Sequence, residues 1–300
     1  MKYFYSVADH TFVVELPYGC NILKEQLAQC YDGFRIEALD VSNVLFELSV
    51  EFGSTYLSLS SYDHVASVQP TDLRFEVWSN KCGDYVFEVS DETGFSRSLI
   101  YADCNFRKAQ MVLSAEAVQP DVLLNNAIML CYAFAGAYQQ TLLVHASVPQ
   151  IGRTAFLFQG LSGTGKSTHS QLWLKYIPQV ELLNDDNPVV RIATDGSIQV
   201  WGTPWSGKTP CYRNVCCRLG GVMRLEQAPE NNIQQLRPLE AFASLLASCS
   251  TMIWDKNSYA AICATVEKVV SQVPAYHLKC LPNHEAAELS HQYLCKKHHV

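Results

Sequence analysis

The spacing of apolar and polar positions divides the chain near residue 117. Before that point, short segments rich in β-branched and aromatic residues recur at 11–16, 44–50, 55–59, 73–78, 85–89 and 98–101. Turn formers separate them at Tyr62-Asp63, Gly83-Asp84 and Asp91-Glu92-Thr93-Gly94. The pattern predicts an antiparallel, mainly β module over residues 1–117, with no motif that carries chemistry.

Beyond it, over residues 118–300, strand and helix patterns mix. Pro120-Asp121 open a helical stretch to about residue 140, with proline where a first turn tolerates it. Residues 142–148 read as a strand. So do residues 153–159, whose near-continuous apolar run fits a strand buried on both faces. A helix is expected over 166–176 and a short strand over 181–183. A hairpin of 189–192 and 198–201 turns at Asp195-Gly196. The last third predicts helices at 239–248, 259–273 and 283–295, with a strand at 276–279.

Composition narrows the class. With 300 residues, 48% of them hydrophobic and 17% charged, the chain can bury one large or two smaller cores. A net charge of -7 argues against nucleic acid as a partner. The longest apolar stretch, 127–138, is too short to span a membrane, for which about 20 residues are needed, so it reads as a buried helix. The first 14 residues lack the pattern of a signal peptide. The 12 cysteines are scattered without a C-x-x-C, which suits buried thiols in a reducing compartment and predicts a cytoplasmic protein.

One motif stands out chemically. Gly160-Leu161-Ser162-Gly163-Thr164-Gly165-Lys166-Ser167 fits G-x-x-x-x-G-K-[ST] between an apolar strand and a helix. Glycines let successive backbone N–H groups converge on one point, and the helix adds the positive end of its dipole there. Gly160, Ser162, Gly163, Thr164, Gly165, Lys166, Ser167 and Thr168 are therefore the expected nucleotide-binding residues. Lys166 supplies charge for the β and γ phosphates, and the Ser167 hydroxyl is a magnesium ligand.

Asn184-Asp185-Asp186-Asn187 follows a predicted strand. One carboxylate can hold magnesium, and the other can accept the proton of an attacking hydroxyl. The same tetrapeptide also suits a solvated turn. Residues 201–210, Trp-Gly-Thr-Pro-Trp-Ser-Gly-Lys-Thr-Pro, suggest a shaped loop with exposed tryptophans beside a ligand. Within and after it, Lys208 and Arg213 could neutralise a transferring phosphoryl group, or could make only a surface ion pair. His145 lies on an apolar segment expected beside the loop strand, where a histidine serves either the core or the site. His169 reads as structural.

The loop, followed about 19 residues after its lysine by Asp185-Asp186, resembles the C-terminal domain of HPr kinase/phosphorylase. It is also similar to the ATP-dependent phosphoenolpyruvate carboxykinases, which share that fold, and His145 resembles a histidine that HPr kinases carry before the loop strand. The resemblance covers roughly residues 120–300. It implies an α/β (α+β) chain in which a phosphoenolpyruvate carboxykinase-like P-loop kinase domain follows the smaller β module. It further implies ATP and Mg2+ as cofactors, Asp185 as the catalytic base and Asp186 as a magnesium contact. The expected acceptor is a hydroxyl on a protein, a peptide or a small molecule such as serine, and some self-association is expected because HPr kinases are hexamers. Three other readings stay open: a regulator that binds ATP without turnover, a phosphate-dependent phosphorylase, and a small carboxykinase.

Overall fold

The computed structural model describes residues 1–37, 44–55, 59–69, 73–91, 97–207 and 209–295. The chain forms two compact units, 1–136 and 137–300. The division falls one helix later than the 117/118 boundary expected from the sequence.

The first unit is built from β1 (Lys2–Val7), β2 (His10–Glu15), α1 (Asn21–Tyr31), a 3-10 turn (Asp32–Phe34), β3 (Arg35–Ile36), β4 (Val44–Phe52), β5 (Tyr62–Val68), β6 (Leu73–Asn80), β7 (Tyr85–Asp91), β8 (Arg97–Ala102), β9 (Lys108–Leu113) and α2 (Pro120–Ala137). Its nine strands run β3-β1-β2-β4-β9-β8-β7-β6-β5. The expected antiparallel sheet is in fact mixed, because β4 pairs in parallel with both β2 and β9. A parallel return needs a long crossover, and α1 provides part of it. That helix was not anticipated, although Leu23, Leu27, Cys30 and Tyr31 fall on one buried face. Tyr62-Asp63, expected as a turn, instead begin β5. The strand expected at 55–59 lies largely outside the described residues. Helix α2 belongs with this sheet: the Tyr132 hydroxyl donates to the Val7 carbonyl at 2.9 Å, and Phe134 packs on Phe106 with ring centroids 5.2 Å apart.

The second unit contains β10 (Thr141–Leu143), β11 (Ala146–Ile151), β12 (Thr154–Gln159), α3 (Lys166–Tyr176), β13 (Val180–Asp186), β14 (Val189–Ile192), β15 (Ile198–Trp201), β16 (Cys216–Gln227), β17 (Asn232–Gln235), α4 (Pro238–Leu246), α5 (Lys256–Gln272), β18 (Ala275–Cys280) and α6 (His284–Cys295). Its sheet runs β10-β14-β15-β16-β12-β11-β13, with β18 beside β16 and β17 beside β18. Strand β12 pairs in parallel with β16, which pairs in parallel with β18, while β11 is antiparallel to both β12 and β13. The ends of β12, β13, β16 and β18 therefore share one edge of the sheet.

Strand β12 is buried throughout, as its apolar run predicts. Ala155 and Leu157 enter one core with Ala241 and Leu245 of α4 and Ile262, Val266 and Val269 of α5. Phe156 and Phe158 enter the other with Trp173 of α3 and Ala287 and Leu294 of α6. Helices thus cover both faces, and burial of β12 fixes where its C-terminal end delivers the glycine loop. The strand expected at 142–148 is broken in two: β10 pairs with β14, and after His145 the chain changes partners to β12 and β13. All 12 cysteines are unbridged. Among the described residues, no helix is long and apolar enough to cross a membrane.

Candidate functional site

The glycine loop joins β12 to α3. Gly160 has a φ of +153°, and a Cβ there would stand 2.8 Å from the Thr164 hydroxyl oxygen and 2.9 Å from the Leu225 carbonyl, so the turn needs glycine. Thr164 folds the loop on itself, its hydroxyl donating to the Leu161 carbonyl at 2.8 Å. Gly165, left-handed at φ +95°, caps α3 without a side-chain hydrogen bond. The amides of the first helical turn thus receive no side-chain cap, and the positive end of the helix dipole is directed at the loop.

Lys166, the first helical residue, is only 8% exposed. Its ammonium donates to the Gly160 carbonyl at 3.1 Å and the Leu161 carbonyl at 3.3 Å. Burial pulls its pKa down, and Asp186 and Asp185 partly oppose that shift. Ser167 and Thr168 follow on an exposed face, and Ser162 and Gly163 are exposed in the loop.

The acidic pair ends β13, within the strand rather than after it. Asp185 lies opposite Ser147 and Asp186 opposite Ala146, both on β11. Asp185 is 2% exposed, and neither of its carboxylate oxygens has a hydrogen-bond partner. Asp186 is held from two sides: His145 Nδ1 is 3.2 Å from Oδ1, and Asn187 Nδ2 donates to Oδ2 at 2.8 Å. His145 reaches this position because the chain breaks between β10 and β11, where its N–H donates to the Ser248 carbonyl at 2.7 Å. The structure thus joins His145 to the acidic pair rather than to the core.

Residues 202–207 form a strap along the end of β13. The Gly207 N–H donates to the Asp185 carbonyl at 2.6 Å, and Ser206 bridges to Asp186. A Cβ on Gly202 would lie 2.1 Å from the Arg213 carbonyl oxygen, so the strap can enter here only through glycine. The expectation of exposed tryptophans fails: Trp205 is 2% exposed and plugs the strap into the fold. Lys208 lies outside the described residues. Arg213 does not join the loop. Its guanidinium donates to the Leu182 carbonyl at 2.7 Å and to Glu181 at 2.8 Å, near the start of β13, which is the surface ion pair the sequence left open.

Two contributors escaped the sequence. Asn184 is fully buried, and its Nδ2 donates to the Thr203 hydroxyl at 3.0 Å and the Trp205 carbonyl at 3.3 Å, tying strap to strand. Gln227, at the end of β16, donates to the Gly163 carbonyl at 3.1 Å and steadies the loop. The first signal was present as an asparagine flanking the acidic pair; the second had none.

Three of these residues offer oxygen donors of the hard type that magnesium takes. Asp185 offers two buried oxygens with no partner, a costly arrangement without a nearby cation. Ser167 and Asp186 offer hard oxygen donors. Among the described residues, no group of three His, Cys, Asp or Glu side chains could enclose a cation. His169 is structural, as expected: it is 3% exposed, burial pushes its pKa down to about 4, and Nε2 meets the Ser290 hydroxyl at 2.9 Å. No protein-family model and no curated protein matches the chain.

Proposed function

We propose that the second unit is an α/β phosphotransferase that binds a nucleoside triphosphate with magnesium and transfers the terminal phosphoryl group to a hydroxyl. One observation carries this reading. A buried lysine opens the helix that follows the glycine loop at the C-terminal end of β12, and a buried carboxylate that receives no hydrogen bond ends β13 at the same end of the sheet.

The chain's own residues divide the work. The amides of 160–166 and the first turn of α3 bind phosphate oxygens, and Lys166 exchanges its two carbonyl partners for them. Ser167 and Asp186 would hold magnesium, with His145 and Asn187 orienting the Asp186 carboxylate. Bound there, magnesium would supply positive charge to offset that of the phosphates, while ADP would leave as the acceptor oxygen takes the phosphoryl group. Asp185 accepts the acceptor's proton, since both of its oxygens are free of competing donors. The strap fixes the backbone of Asp185 through Gly207, so the carboxylate needs little reorganisation.

The test couples binding to turnover. Millimolar ATP with magnesium should raise the melting temperature. Label from γ-labelled ATP should pass to serine, to another small hydroxyl compound or to a lysate protein, and Asp185→Asn should lower that transfer on the order of 10^3-fold. Absence of a thermal shift would overturn the nucleotide reading. A shift without transfer to any acceptor would favour an ATP-binding regulator.

A further inference from the structure

We propose that the neutral cavity beside the glycine loop receives the nucleobase and ribose of the nucleotide, and holds the base by packing rather than by side-chain hydrogen bonding. This rests on the nucleotide reading above.

The cavity has a volume of about 620 Å3, within the range of small-molecule sites. Gly163, Gly165 and Thr168 form one wall, so it opens directly onto the phosphate-binding residues. Its other walls come from the segments that follow β16 and β18, including Pro229 and Leu281, and from Leu172 of α3. In the sheet order these strands lie on the opposite side of β12 from β13, which carries the acidic pair. A nucleotide with its phosphates on the loop thus has two directions open to it, one toward carboxylates and one toward this cavity.

Charge decides between them. Among the described residues lining the cavity there is no Asp, Glu, Lys or Arg, and His169 is kept neutral by burial. The next groove along the sheet differs: Glu226, Glu230, His277 and Lys279 line it. An uncharged heterocycle with its sugar matches the neutral cavity, whereas an ionic acceptor does not.

Three of the polar side chains on the wall, Thr164, His169 and Gln227, already hold hydrogen bonds within the fold. The Thr164 hydroxyl is donated to the Leu161 carbonyl, and the Gln227 amide NH2 to the Gly163 carbonyl. A site that packs a base without reading its edge discriminates weakly.

Isothermal titration with magnesium present, using ATP, GTP and inorganic tripolyphosphate, tests this on the full chain. ATP and GTP should bind within about tenfold of each other. Tripolyphosphate should bind more weakly than ATP by at least about tenfold, since it buries no base. Ala228→Trp, which fills the cavity, and Leu281→Asn, which makes its rim polar, should each weaken ATP by about tenfold or more and leave tripolyphosphate unchanged. Retained tripolyphosphate binding also shows that each variant is folded. Unchanged ATP affinity in both variants would overturn the proposal, as would a preference for one purine of about a thousandfold. If neither ATP nor tripolyphosphate binds the unaltered protein, the phosphate loop itself has failed, and this inference falls with it.

Discussion

The two sheets are equal in strand number among the described residues, and differ in what they enclose. Among the described residues, tyrosine hydroxyls apart, the first unit buries only His10 and Ser98 as polar side chains, within a core of large aromatics such as Tyr5, Phe12, Phe46 and Phe87. The second buries Lys166, His169, Asn184 and Asp185 along with many hydroxyls and amides. Burying polar groups costs stability unless they are partnered, and Asp185 is not. A fold that concentrates such groups at one edge of one sheet is organised there for something other than stability. The contrast makes each unit's substitutions behave differently.

The largest effect is expected at Asp185. Asp185→Asn should lower phosphoryl transfer on the order of 10^3-fold, by removing the proton acceptor. It should also raise the stability of the nucleotide-free protein by about 1–2 kcal/mol, because a buried carboxyl group that receives no hydrogen bond is replaced by a neutral amide, which costs less to bury. Urea unfolding and the transfer assay read the two together. If the variant is less stable than the parent, the carboxylate supports the fold and the contrast breaks at its main point.

Next in size is Phe46→Ala in the first unit. Phe46 is fully buried and stacks on Phe12 with ring centroids 4.8 Å apart. Its truncation should cost about 3–5 kcal/mol. Nucleotide affinity, measured below the unfolding transition, should not change. A matching loss of affinity would show that the aromatic core also shapes the site.

Much of this division was legible in the sequence, and the failures have physical causes. Strand β12, helix α3 and the hairpin of β14 and β15 follow from apolar runs, helix formers and an Asp-Gly turn, signals that neighbouring elements reinforce. Strand β16, the partner of β12, was missed although it is the longest strand described. Gly220 and Gly221 interrupt its apolar pattern, and glycine in a strand weakens the local signal that pairing on both sides overrides. In the first unit, parallel pairing cannot be seen in a strand-by-strand alternation, and so the sheet was expected to be antiparallel. At the site, the loop and the acidic pair were readable because their chemistry is local in sequence. The displacement of Arg213 toward Glu181 was not, because it depends on where the strap crosses β13.

His169 offers an effect of middle size with a defined sign. Burial lowers its pKa from 6.5 to about 4, so the folded protein keeps it neutral where the unfolded chain takes up a proton. The stability it contributes is complete above pH 6.5 and is lost as pH falls from 6.5 toward 4. The full loss is about 3 kcal/mol by linkage. The Ser290 hydroxyl already donates to the Ala287 carbonyl, so His169 Nε2 is the donor in their contact. His169→Gln keeps an N–H donor and cannot be protonated there. Comparing urea midpoints at pH 7 and pH 4.5, the parent should lose more stability than the variant. An equal loss would mean that the histidine is not buried as a neutral group.

The smallest effect is expected where charge is most densely paired, on the first unit's surface. Burial pushes the Glu76 carboxyl up, but contacts from Ser67, His64 and Arg74 outweigh it and hold the group below its ordinary range. A carboxyl lowered in this way supports the fold above its unfolded pKa and ceases to do so as acid protonates it. Its partners His64 and Arg74 are 47% and 63% exposed, so water and salt screen most of that support. Glu76→Gln should therefore change stability at pH 7 by less than about 1 kcal/mol, and the difference should shrink further in high salt. A loss above about 2 kcal/mol would mean that the first unit, too, depends on its charges. The distinction would then lie in how charges are partnered and no longer in whether they are buried. Asp185, buried and without a partner, would still stand apart on that revised scale.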